Sequence, residues 1–87
     1  MESIGILESN SIAKGIEAAD AILKAAEVTL LFAKPVCPGK YTVLFYGEVA
    51  AVRESVAAGM AEGKEKGIAV TSVVIPSPTP ELFDALK

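Results

Sequence analysis

Residues 28–46, VTLLFAKPVCPGKYTVLFY, decide the fold. Val28 to Ala33 is a fully apolar run that ends at Lys34-Pro35, and Tyr41 to Tyr46 is a second. Two short apolar runs joined by a Pro- and Gly-containing segment predict a β-hairpin. An uninterrupted run such as Val28–Ala33 predicts a strand buried on both sides. Pro38 and Gly39 suit positions i+1 and i+2 of a type II turn, which puts Cys37 at position i and its thiol at the loop tip.

Helical patterns lie on either side of this hairpin. Upstream, Ser3 to Ser9 reads as a short strand, and Asn10-Ser11 supplies a candidate N-cap. From there Ile12, Ile16, Ala19, Ile22, Leu23 and Ala26 recur at helical spacing, while Lys14, Glu17, Asp20, Lys24 and Glu27 occupy other faces. Downstream, Gly47-Glu48 opens a second helix with an expected inner stripe of Val49, Val52, Val56, Met60 and Gly63. That helix runs out in Glu62 to Gly67, whose lysines and final glycine suit a C-terminus. Ile68 to Ile75 is the fourth strand, halted by Pro76, Pro78 and Pro80. Thr79, Pro80 and Glu81 then read as cap, first helical position and first-turn acid of a short terminal helix. The order β-α-β-β-α-β is the split βαβ arrangement of ferredoxin-like α+β folds. It predicts a four-stranded antiparallel sheet, two long helices on one face, and one domain over residues 1–87.

Composition narrows the function. The chain has 87 residues, 52% of them hydrophobic, and a mean hydropathy of +0.47. A domain this small hides only part of that apolar surface, so the remainder is expected to meet other subunits. The net charge is -3, and the eight Lys and Arg are scattered among acids with no basic stripe, which argues against nucleic acid. No apolar run approaches the roughly 20 residues that span a bilayer, and MESIGILES lacks the basic start of a signal peptide. A single cysteine makes no internal disulfide, which fits a reducing cytoplasm.

The residue types absent from the chain prune its chemistry further. Without histidine there is no Ser-His or Cys-His nucleophile and no H-E-x-x-H metal site. There is no C-x-x-C motif, and no Gly-rich loop leads from a strand into a helix as a phosphate cradle would. Glu17 and Asp20 share a helix face with Lys14 and Lys24 and read as a solvated, ion-paired surface. The expectation is a protein that is not an enzyme. Strand order alone leaves function open, since an ACT-type ligand-sensing regulatory domain has the same order.

Three stretches carry a resemblance: IGILESNSIAKGIEAADAILKAAEVTLL, then GEVAAVRESVAAGMAEG, then VVIPSP. Together they span most of the chain, and it resembles a bacterial microcompartment shell protein with a single BMC domain. The resemblance implies cyclic hexamers that tile, with other shell proteins, into a shell around an encapsulated pathway, each with a pore on its axis. It also implies an edge role for Lys24, where neighbouring hexamers meet. The usual strand end of the family is Ile-Pro-Arg-Pro-His; here Ser77 replaces the arginine and Thr79 the histidine, so an edge contact is missing.

The same resemblance makes Val36, Cys37, Pro38, Gly39 and Lys40 the pore loop. CPGKY resembles the loop of iron–sulfur-binding shell proteins from propanediol-utilising and glycyl-radical-type compartments. It implies that Cys37 of symmetry-related chains ligates a shared 4Fe-4S cluster for electron transfer across the shell or redox sensing. The residues agree in kind: Pro35 and Pro38 stiffen the loop, and Lys34 and Lys40 offset the charge of a thiolate. A pore that conducts metabolites and holds no cluster is the competing expectation.

Overall fold

Ser11 begins the first helix as the sequence predicts. It holds extended backbone angles, φ -136 and ψ 123, and its hydroxyl accepts a hydrogen bond from the Lys14 amide at 3.3 Å. The neighbouring Ser9 hydroxyl donates to the Ser11 carbonyl at 3.0 Å and accepts from its amide at 3.1 Å, so the strand-to-helix corner is closed by two serines. In the computed structural model residues 2–65 and 70–86 are described, residue 37 by its backbone alone. The elements are β1 (Glu2–Ser9), α1 (Ile12–Ala25), β2 (Thr29–Cys37), β3 (Lys40–Glu48), α2 (Val49–Glu65), β4 (Val70–Pro76) and α3 (Pro80–Leu86). Gly67, Ile68 and Ala69, expected at a helix end and a strand start, lie outside the described residues.

The sheet order is β2-β3-β1-β4, with every neighbouring pair antiparallel. This is the α+β fold expected from the element order. Both long helices cover one face. On that face Leu7, Val43, Phe45 and Tyr41 meet Ala18, Ala19 and Ile22 of α1 and Val52 and Val56 of α2. Each fully buried large side chain of this core contributes on the order of 1.5–3 kcal/mol. Ile4 and Leu44 are also buried, but they alternate onto the opposite face, as the register with Tyr46 and Ile6 requires.

Two expectations about the strands are corrected. β2 does not end at Ala33; it continues through Pro35 to Cys37. Nor is it buried on both sides, because it is an edge strand, and none of its described side chains is buried. An edge strand has one row of amides without ladder partners, so proline is tolerated there. The register slips between Pro35 and Cys37, and again between Leu30 and Phe32, as bulges at an edge do.

The helix faces are corrected as well. In α1 the buried residues are Gly15, Ala18, Ala19 and Ile22, whereas Ile12, Ile16 and Leu23 are exposed, Ile16 by 52%. Small residues won the inner face because the helix lies too close to β3 for larger ones. A Cβ added at Gly15 would sit 2.6 Å from the Cβ of Tyr41. α2 starts at Val49, since Gly47 and Glu48 still pair in β3, and its buried set is Val52, Ser55, Val56, Gly59 and Gly63. Ser55 was outside the expected stripe. Its hydroxyl donates to the Ile22 carbonyl at 3.0 Å and ties the two helices together.

The terminal helix matches expectation. The Leu82 amide donates to the Thr79 hydroxyl at 3.2 Å, and the Phe83 amide to the Thr79 carbonyl at 3.0 Å. Pro80 is its first residue. It approaches the outer face of the sheet, where Phe83 meets Tyr46 edge to face, ring centroids 5.1 Å apart.

Candidate functional site: the hairpin tip and the opposite end of the sheet

The hairpin turn is as short as a hairpin allows. Cys37 pairs with Lys40, which leaves Pro38-Gly39 as the two-residue connection. Gly39 has φ 78, in the left-handed region that position i+2 of a type II turn demands. Pro38 supplies the negative φ of position i+1. A Cβ added at Gly39 would meet nothing within 4 Å, and Val36, Pro38, Gly39 and Lys40 are all exposed. The tip therefore stands clear of the rest of the chain.

Its base is rigid. Tyr41, one residue past Lys40, is only 9% exposed and lies under Gly15 of α1. Lys40 borders a recess of about 260 Å³ with Glu8, Ser9, Asn10 and Thr71. Those residues come from three separate parts of the chain, so no sequence spacing could have grouped them. Lys34 turns toward Phe32, its Nζ 4.7 Å from the ring centroid, a distance suited to a cation–π contact.

Among the described residues no cluster of three or more His, Cys, Asp or Glu is arranged to hold a metal ion. The chain has one cysteine, and an iron–sulfur cluster takes about four thiolates. An exposed, proline-stiffened turn fits such a group only where several copies converge.

Lys24 and Ser77 lie elsewhere. Lys24 is in the last turn of α1, its Nζ 2.7 Å from Asp20 Oδ2, with side chains 75% and 62% exposed. The hydrogen bond to Asp20, followed by the charge of that carboxylate, raises the Lys24 ammonium above its ordinary pKa. Lys14 and Glu17 pair in the same way at 3.0 Å, so the charged face of α1 is laced by ion pairs as its spacing predicts. Ser77 follows β4, exposed and with φ 52.

Strand register relates these positions. Ser9 pairs with Tyr41, so the hairpin tip lies at the end of the sheet where α1 begins. The 14 residues of α1 run ~21 Å toward the other end, where Thr29 pairs with Tyr46 and Ser3 with Pro76. Cys37 and Lys40 thus occupy one end of the sheet, and Lys24 and Ser77 the other. No described helix is long and apolar enough to cross a membrane.

Comparison with known proteins places these features in a family. The BMC domain model matches residues 3–78. The bacterial microcompartment shell protein PduT of Citrobacter freundii is 46% identical over 76 residues, which cover 87% of this chain and 40% of PduT. The shell protein EutM of Salmonella typhimurium is 38% identical over 82 residues, covering 94% of this chain and 85% of EutM. Among solved structures, a microcompartment protein of Desulfitobacterium hafniense superposes with a TM-score of 0.89 at 55% identity, covering 99% of this chain and 47% of that one. The chain thus spans less than half the length of two of these relatives and most of the third.

Proposed function

The chain belongs to the BMC-domain family of bacterial microcompartment shell proteins, and from that premise we propose a non-catalytic shell subunit whose cyclic oligomer gathers the Val36–Lys40 hairpins around a pore. The observation that carries this reading is the separation of the two candidate sites to opposite ends of the sheet. A ring subunit needs one end for its axis and the other for its rim. The hairpin, exposed and stiff, suits the axis. Lys24 and Ser77 suit the rim, where other shell proteins are met. The family assignment sets aside the ligand-sensing regulatory domain.

A single domain predicts a hexamer, and a tandem protein built on this segment predicts a trimer. In either ring Cys37 contributes one thiolate per copy, and together these hold a 4Fe-4S cluster. Pro38 and Gly39 fix the turn, and Lys40, on its far side, offsets negative charge. When bound, the cluster supplies one-electron transfer, across the shell or as a redox signal.

Protein purified without oxygen is expected to be brown, with broad visible absorption and a light-scattering mass several times the 9.0 kDa of one chain. Cys37→Ser is expected to abolish the colour and keep the ring. A ring that stays colourless after treatment with iron and sulfide overturns the cluster. A wild-type monomer overturns the ring.

The exposure of Lys40 favours a second reading, a ring whose pore passes anionic metabolites and holds no cluster. Under it, Cys37→Ser leaves assembly and transport unchanged, while Lys40→Glu reverses the charge preference.

A further inference from the structure

We propose that α3 is a hinged strap, docked on the outer face of the sheet through Phe83 and free to swing about Ser77. Four independent observations converge on this segment. The matched family domain ends at residue 78, before α3 begins. None of the seven residues of α3 is buried, although its face carries Leu82, Phe83 and Leu86. Beside it, at the start of β1, lies a recess of about 390 Å³, lined among the described residues by Glu2, Ser77, Pro78, Pro80, Phe83 and Asp84. Finally, Ser77 holds φ 52, the one non-glycine residue at positive φ among those described. A serine there is strained, and the strain relaxes when the segment leaves its seat.

The local chemistry makes α3 move as one piece. Thr79 caps the helix through both its hydroxyl and its carbonyl, so the first turn travels with the cap. Pro76, Pro78 and Pro80 have fixed φ, which concentrates rotation at Ser77 and Thr79. The seat is Tyr46, which pairs with the buried Ile4 on the outer face. Release of the strap bares Tyr46 at the end of the sheet that also holds Lys24 and Ser77. Segments with little buried surface open locally, without global unfolding.

Hydrogen–deuterium exchange of the 87-residue chain tests the strap. Amides of α3 are expected to exchange at least about 100-fold faster than those of α1 and α2, as local opening predicts. Ser77→Gly removes the strain from the docked state and is expected to slow α3 exchange about two- to five-fold, the glycine's freedom in the released state offsetting part of the gain. Phe83→Ala is expected to bring α3 to the rate of an unstructured chain and leave α1 and α2 unchanged. The proposal is overturned if α3 exchanges as slowly as α2, if Ser77→Gly leaves α3 exchange unchanged or faster, or if Phe83→Ala loosens the long helices.

Discussion

Tyr41 and Tyr46 lie five positions apart on β3 and so face opposite sides of the same sheet. Tyr41 is sealed by backbone: α1 comes so close at Gly15 that no side chain fits between them. Tyr46 is covered by a ring edge from a short helix that buries none of its own residues. One face is closed by two long helices with no room to spare, the other by a clip. The inner face is therefore the place where small changes are costly, because close-packed atoms there have nowhere to move. The outer face leaves Val73 exposed by 55%.

Gly15→Ala tests the tight side of this contrast and carries the largest expected effect. The new methyl meets the Cβ of Tyr41, which is fixed to the backbone and cannot rotate away. Overpacking is expected to destabilise the chain by roughly 1–3 kcal/mol in chemical denaturation, despite the helix propensity that alanine adds. A variant as stable as wild type would show that the two faces differ less than the geometry says. Ser55→Ala comes next. It removes the buried hydroxyl that ties α2 to the Ile22 carbonyl, a loss of about 1 kcal/mol by the same measurement.

On the clipped side, Phe83→Ala gives up one aromatic pair and is expected to lower global stability by no more than about 1 kcal/mol. A larger loss would make α3 part of the core and erase the contrast. The smallest effect belongs to Asp20→Asn. Asp20 raises the Lys24 pKa, so the contribution of that pair is present below the ordinary lysine value and is lost as pH rises through the raised one. Both groups are solvated, so denaturation midpoints near neutral pH are expected to stay put. The NMR titration of the Lys24 side chain should shift to lower pH in the variant.

Much of the fold was legible because it is written locally. Ser11 and Thr79 cap helices through amides three residues away, and Pro38-Gly39 dictates its own turn. Ala19 and Ile22 of the expected α1 stripe are buried, whereas Ile12, Ile16 and Leu23, with the right spacing and hydropathy for a core, are exposed. Their rejection depends on how near β3 lies, and the nearness depends on Gly15, Ala18 and Ala19 being small. β2 was misread for a related reason. An apolar run looks the same at the edge of a sheet as at its centre, and only the pairing of β1 with both β3 and β4 sends β2 outward. Of the candidate site, the hairpin was readable as a unit, whereas Glu8, Asn10 and Thr71 around Lys40 were not, since two segments distant from the hairpin supply them.

By itself the sequence determined the order of elements, both helix caps, the turn that carries Cys37, and the absence of the histidine and paired cysteines that most catalytic and metal sites need. These are properties of neighbours along the chain, set by hydrogen bonds and torsions over a few residues. Only the tertiary structure decided which face of α1 is buried, that β2 is an edge, that Ser55 bridges the helices, and that Cys37 and Lys24 stand at opposite ends of one sheet. Those outcomes depend on distances between residues far apart in the chain, which exist only once strands have found their partners and helices their depth.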